Sequence, residues 1–457
     1  MAGARRKRYV SYIARGLIAI LVSLSVALVP IRADAAGLSL IRDSEIENTI
    51  RDYATPLFAA AGLFPENIRI YIVNSDDINA FVAGGQNLFL NTGLLVRADD
   101  PTQVMGVIAH ETGHIAGGHL ARLQEELRSA SIAQILALVL GAAAAAASGE
   151  AGVAAGVGVG GGEMARRALL NYSRTQEQAA DQAGTKYLDR IGQSSRGMLG
   201  ILEKLSGQEM LLTARQSPYV RSHPLTSERL SFVREHLAHS PYADAPTPPG
   251  FDMRHKRMVA KLHGFQQQPG RTLMIYPETD TSVPARYARA IAYYRTPDMP
   301  RALTEINALL ADFPEDPYFQ ELKGQMLYEN GRPAEAAEAY SKAVALKPNA
   351  PLMRVAHAEA LLALNQENLT RSALAELQEA MRQEPEFSRG WRQLAVAHGR
   401  LGDIGMAALA LAEEASLLGR KRDARQQAQR SQALLPVGSP GWLRAQDIEN
   451  AARKEDR

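Results

Sequence analysis

His110-Glu111-Thr112-Gly113-His114 lies in the segment VMGVIAHETGHIAGGHL. On a helix, residues four apart project from nearly the same side, so both imidazoles can reach one metal ion while Glu111, one step round, faces a water bound to it. That is the core arrangement of a zinc peptidase, with His110 and His114 as ligands and Glu111 as general base. The chain has no Cys, so thiolate ligands are excluded and any metal must be held by His and carboxylates.

A catalytic zinc takes three protein ligands and a water, so two His leave the site one short. The extended pattern H-E-x-x-H-x-x-G-x-x-H would need a His at position 120, where Leu120 stands, although Gly117 fits it. At about 100° per residue His119 projects away from the His110 and His114 face and reads as a structural or surface residue. A carboxylate on a later helix is the better third ligand. Glu177 fits, and Asp181, four residues on and on the same face, can orient His110 or His114 through the second ring nitrogen.

The surrounding pattern supplies elements to position these groups. Helical spacing from Leu38 to about Gly62 predicts a helix with a capping-box-like start at Ser44 and Glu47. Ile68 to Val73 alternates and is rich in branched residues, and Ala80 to Val82 and Asn87 to Asn91 read as further short strands broken at Gly84-Gly85. A small sheet therefore precedes the metal helix. The stretch Gln86, Asn87, Leu88, Phe89, Leu90, Asn91 is a candidate edge on which an extended substrate adds as a strand; the alternative is an internal strand already paired on both sides. The metal helix starts at Val104, after Asp99 to Gln103, and is expected to run past Arg122. Helical spacing returns from Glu163 to Asp189 and from Gly197 to Leu205, His223-Pro224 marks a turn, and Ser227 caps the helix that follows.

Residues 131–162 are apolar, then dominated by Gly, Ala and Val. A mobile cover near the site or a helix pair packed on the domain is preferred over a membrane span, because Ala contributes little to partitioning and Glu150 with many Gly would end a span early. Peripheral membrane contact through this stretch is a further expectation.

At the N-terminus, Arg5, Arg6, Lys7, Arg8 and Arg15 precede the apolar run Gly16 to Ile31, and Ala33-Asp34-Ala35 has the small-x-small form of a signal-peptidase site. Residues 1–35 read as an export signal, with an uncleaved anchor as the alternative. That segment holds six basic residues and one acidic residue, so the rest of the chain changes from +2 to −3 and offers no basic surface for nucleic acid. Absence of Cys is compatible with an oxidising compartment.

Beyond Pro284 the chain turns Ala, Leu and Glu rich. Pro317, Pro351 and Pro385 stand 34 residues apart, as do Pro314 and Pro348, and LYENGRPAEAAEAYSKAVALKP shows two helical stretches around Gly331 with Ala337, Tyr340 and Ala343 at packing positions. Period and pattern resemble the tetratricopeptide repeat, which stacks into a solenoid with a concave surface suited to protein segments. The organisation expected is a signal peptide at 1–35, a peptidase domain at 36–240, a linker at 241–283, repeats at 284–435 and a tail at 436–457. The fold class is an α+β zincin-like metallopeptidase domain, mostly helical with a small sheet, followed by an all-α repeat solenoid.

HETGH, the Glu177-to-Asp181 helix, His223-Pro224 six residues before Arg229, the export signal and the repeats together resemble the BepA type of periplasmic zinc peptidase, within the group that includes HtpX and the CAAX prenyl endopeptidases. Ala179 departs from relatives that carry a second Glu there, and the Gly/Ala-rich stretch 141–162 leaves the cover over the site undefined. The resemblance implies one zinc per chain held by His110, His114 and Glu177, in the gluzincin manner, with Glu111 taking a proton from the attacking water. His223 or Arg229 would share the charge that develops on the carbonyl oxygen, or His223 would bind the zinc in a resting state. It also implies a periplasmic endopeptidase in envelope protein quality control. Its repeats would recruit misfolded or stalled outer-membrane proteins, or their assembly machinery. The alternatives are a periplasmic chaperone or assembly adaptor with latent proteolysis, and a membrane-embedded peptidase using residues 131–162.

Overall fold

A computed structural model describes residues 39–119, 174–206, 219, 223 and 227–454. The export signal, the stretch 131–162 and Pro224 lie outside the described residues. Among those described, no helix is long and apolar enough to cross a membrane.

After strand β1 (Leu40–Ile41) comes helix α1 (Ser44–Ala60). Its N-cap is Asp43, whose carboxylate accepts from the Glu45 and Ile46 amides, and Glu47 reaches back to accept from the Asp43 amide at 3.0 Å. The cap is thus one residue earlier than the Ser44 expected. Strands β2 (Arg69–Val73), β3 (Ala80–Ala83) and β4 (Asn87–Asn91) complete a four-stranded sheet of order β1-β2-β4-β3. Strand β4 runs parallel to β2 and antiparallel to β3, with Leu88 opposite both Ile70 and Val82. Leu88 and Leu90 face the core with Ile50, Leu57, Phe58 and Ile72 of α1 and β2.

Short helix α2 (Thr92–Arg97) leads to α3 (Pro101–Gly117). Pro101 starts α3 at the position where a missing amide costs nothing, and Asp100 caps it by accepting from Thr102 and Gln103. Helix α3 stops at Gly117, short of Arg122, because Gly118 adopts a left-handed conformation with φ of 63°. A helix over residues 174–190, here α4, is followed by α5 (Arg196–Ser206) and α6 (Ser227–His239).

The interval expected as a linker holds two helices, α7 (Phe251–Gln266) and α8 (Pro269–Ile275). The Pro-rich stretch before Gly250 has a linker's composition. Helix α7, however, sends Met258 and Leu262 into the peptidase core, and its start is fixed by Tyr53, whose ring centroid lies 4.7 Å from that of Phe251.

The repeats comprise α9 (Val283–Arg295), α10 (Met299–Asp312), α11 (Pro317–Glu329), α12 (Pro333–Leu346), α13 (Pro351–Ala363), α14 (Glu367–Gln383), α15 (Ser388–Arg400), α16 (Ile404–Leu417) and α17 (Lys421–Leu434). Pro317 and Pro351 each open a helix, whereas Pro385 falls in the turn before α15, because α14 has 17 residues against 14 in α12. The expected tail folds as α18 (Pro440–Lys454), whose Ala445 and Ile448 pack on Leu409 and Ala412 of α16 and Ala424 and Ala428 of α17. A buried polar seam joins the first repeats to the start of α1. Within it Tyr287 donates to Glu45 at 2.8 Å, Arg257 lies 2.7 Å from Glu45 and 2.5 Å from Asp316, and Lys261 lies 2.7 Å from Asp43.

Candidate metal centre

Helix α3 carries His110, Glu111 and His114 three, four and seven residues beyond Val107, on one stripe of the helix. Two glycines let α4 come close enough to reach them. A Cβ on Gly113 would sit 2.8 Å from the Ala180 carbonyl oxygen, and one on Gly184 would sit 3.1 Å from the Ala109 carbonyl carbon. The helices therefore pack backbone against backbone, and Glu177, one turn before Asp181, falls beside the two imidazoles.

Four donor groups converge: His110, His114, Glu177 and His223, with one ligand atom from each lying within 4.8 Å of all the others. His110 Nε2 is 3.1 Å from His114 Nε2, 3.3 Å from Glu177 Oε2 and 3.4 Å from His223 Nδ1. His114 Nε2 is 3.3 Å from Glu177 Oε1, and His223 Nδ1 is 3.1 Å from the same oxygen. Ligands about 2.0–2.1 Å from a tetrahedral metal lie roughly 3.4 Å from one another. Three imidazole nitrogens and a carboxylate at these separations fit an ion such as zinc.

Behind the donors stands a second layer. His110 Nδ1 lies 2.8 Å from Asp181 Oδ1, so a proton on that nitrogen leaves Nε2 free as a lone-pair donor. Arg229, 2% exposed, donates from Nε to Asp181 Oδ2 at 2.6 Å and from Nη2 to Oδ1 at 2.9 Å, and its Nη1 lies 3.0 Å from Glu177 Oε2. Arg229 is thus turned onto two carboxylates rather than left as a donor for a reacting oxygen.

His119 Nδ1 lies 3.0 Å from His114 Nδ1, and the residue is buried. Helical projection had aimed it elsewhere; because α3 ends at Gly117, the projection no longer applies, and the chain turns the ring back onto His114. The one sequence signal for this was the Gly117-Gly118 pair.

Glu111 is 1% exposed and neither of its oxygens has a hydrogen-bond partner. Burial pushes its carboxyl up against the opposing pull of His223 and His110. His223 Nε2 lies 3.5 Å from Glu111 Oε1. The His223 ring also lies against Tyr219, with centroids 4.6 Å apart, and its amide donates to the Tyr219 carbonyl at 2.7 Å. Burial opposes charge on both metal-helix imidazoles, yet they diverge. The Asp181 and Glu177 carboxylates outweigh it at His110, raised to about 9, while His114 is lowered to about 3. Glu177 is held well below the ordinary carboxylate range by His223, His110 and His114 despite its burial.

The stretch Gln86 to Asn91 does not offer a free edge. Asn87–Asn91 is paired on one side with β2 and on the other with β3, so its main-chain groups are already used. Among the described residues the edge strand on this side of the sheet is β3, Ala80–Ala83, which packs beside α3.

Residues 40–237 match peptidase family M48, and residues 287–351 match a tetratricopeptide repeat. The chain is similar to a protein of Yersinia pestis named beta-barrel assembly-enhancing protease, 25% identical over 85% of this chain and 80% of that one. The protein of the same name in Escherichia coli is 26% identical over 83% of this chain and 77% of the other. A shorter Escherichia coli relative, metalloprotease LoiP, is 28% identical over 47% of this chain and 83% of its own length.

Proposed function

We propose that this chain, a metallopeptidase with an M48 peptidase domain followed by tetratricopeptide repeats, is an exported zinc endopeptidase that cleaves misfolded or stalled outer-membrane proteins recruited by its repeats. One observation carries the peptidase part: a four-donor cluster sits beside a buried carboxylate, Glu111, whose two oxygens lack partners. The printed name of the relatives, with its reference to β-barrel assembly, supports the client class, and the repeats support recruitment of polypeptide segments.

His110, His114 and Glu177 would hold the zinc, which when bound supplies Lewis acidity, lowering the pKa of water to about 7 and polarising a carbonyl. Glu111 accepts the proton of the attacking water and passes it to the leaving amine; general-base help of this kind is typically worth about 10² to 10⁴ in rate. Asp181 holds His110 in one tautomer. Arg229 fixes Asp181 and Glu177 and acts as a positioning residue. The scissile segment adds as a strand to the open edge of β3, with main-chain hydrogen bonds setting its depth beside α3. His223 serves as a fourth donor in a resting state and withdraws from Glu111 when a client enters.

Glu111→Gln tests this reading. Metal content and melting temperature are expected to stay at wild-type values while digestion of an unfolded β-barrel protein is lost; undiminished digestion would sink the mechanism.

A second reading, an assembly adaptor with latent proteolysis, is favoured by His223 filling the donor cluster. Full support of outer-membrane assembly by the Glu111→Gln protein in cells would establish it.

A further inference from the structure

A cavity of about 240 Å³ lies at the seam between the repeats and the peptidase domain. Helices α11 and α13 form one wall, and residues 42–44 with Lys261 form the other. Its cationic neighbours are all engaged. Arg42 donates to Glu47 at 2.8 Å, Lys261 lies 2.7 Å from Asp43, and Arg389 donates from Nε to Glu359 at 2.6 Å.

The acidic side is not balanced in the same way. Glu321 accepts from the Ser44 hydroxyl at 2.8 Å through Oε1, but Oε2 is buried without a partner. Glu329 stands on the rim, bonded to the Tyr294 hydroxyl and to Gln325. A buried carboxylate oxygen left unpaired is disfavoured, so a cation placed beside it is favoured. Burial first, with Asp43 and Glu45 adding to it, pushes the Glu321 carboxyl up to about 7 against the pull of Lys261 and Ser44.

Tyr328, Tyr340 and Phe387 add aromatic surface to the same cavity. The chain already shows how this surface treats a cation. The Arg42 guanidinium sits over the Phe387 ring, 5.1 Å from its centroid, with Glu384 3.5 Å away.

We propose that this cavity is a docking subsite for a Lys or Arg side chain of an extended client segment lying along the repeats. The ammonium or guanidinium gives Glu321 the partner it lacks, Glu329 attracts it from the rim, and the aromatic rings cover its stem. The subsite rests on the reading of the repeats as a client-recruiting surface, and it lies among residues that take no part in the chemistry at His110.

The test uses the full chain carrying Glu111→Gln, so that binding is read without turnover. Fluorescent unstructured peptides that differ only in a central Lys or Gln are titrated by anisotropy. The Lys peptide is expected to bind at least fivefold more tightly, and Glu321→Gln with Glu329→Gln is expected to erase that difference while leaving the Gln peptide unchanged. Equal binding of the two peptides, or an undiminished preference in the double variant, would overturn the subsite. Should the double variant fail to fold, a Lys peptide carrying a photo-crosslinker next to the Lys is mapped on the Glu111→Gln chain. Crosslinks at Tyr328 or Tyr340 support the subsite and crosslinks confined elsewhere refute it. Failure of the peptidase reading would show instead in the cleavage assay, with these binding results intact.

Discussion

Arg229 clasps Asp181 through two hydrogen bonds, 2.6 Å from Nε to Oδ2 and 2.9 Å from Nη2 to Oδ1, in a region that water does not reach. The pair stands directly behind His110, so the aim of a candidate metal ligand depends on a residue 48 positions beyond Asp181 in sequence.

Replacing Arg229 by Met would leave Asp181 and Glu177 buried without their guanidinium. Loss of one partner of a buried ion pair costs on the order of 3–5 kcal/mol. Urea denaturation of the metal-free protein is expected to show a loss of that size, and Asp181→Asn added to Arg229→Met should recover part of it. Metal affinity is expected to fall about 10- to 100-fold, as for other groups that orient a ligand. A cost below about 1 kcal/mol with unchanged affinity contradicts the positioning role.

Gly113 offers a test of the helix crossing. With a Cβ 2.8 Å from the Ala180 carbonyl oxygen, Gly113→Ala must push α4 outward. Overpacking costs typically about 1–3 kcal/mol, and here it also carries Glu177 away from His110 and His114. Weaker metal retention during dialysis against a chelator is the expected result. Retention equal to wild type would mean that the crossing does not set the ligand distance.

For His223, a resting-state donor and a transition-state donor predict opposite signs. His223→Ala is expected to raise basal cleavage of a short unstructured peptide several-fold, because Glu111 then faces an open position. A drop of tenfold or more would assign His223 to the reaction itself.

The Glu321 carboxyl gives a pH dependence with a definite sign. Its pKa in the folded chain is raised from 4.5 to about 7, so the folded state binds more protons than the unfolded state between those values. The contribution is fully present below about pH 4.5, is lost as pH rises through about 7, and is of order 1–3 kcal/mol. Melting temperatures of wild type and Glu321→Gln are expected to differ in slope over that window and to run parallel above it. Parallel curves throughout would remove Glu321 from the seam's energetics.

Much of the site was legible in the chain because a helix fixes the direction of side chains from spacing alone. His110, Glu111 and His114 share one turn, and the four-residue step from Glu177 to Asp181 set a ligand beside its partner for His110. The 34-residue spacing of prolines likewise exposed the repeats, since each stacked unit repeats the same turn. Composition misled at two places. The linker expected over 241–283 takes in α7, which buries Met258 and Leu262, and the region past Leu435 concealed Ala445 and Ile448, which dock α18.

What the amino-acid sequence indicated by itself was therefore local: the candidate ligand pair, base and third carboxylate, from spacing along helices, and the repeat period, from the spacing of prolines. Only the tertiary structure decided that Asn87–Asn91 is paired on both sides and that, among the described residues, β3 is the edge strand. It alone turned Arg229 onto Asp181 and Glu177, and His119 back onto His114. Strand order, helix crossing and the path of a chain after a left-handed glycine depend on contacts between residues far apart in sequence, and no local periodicity encodes them.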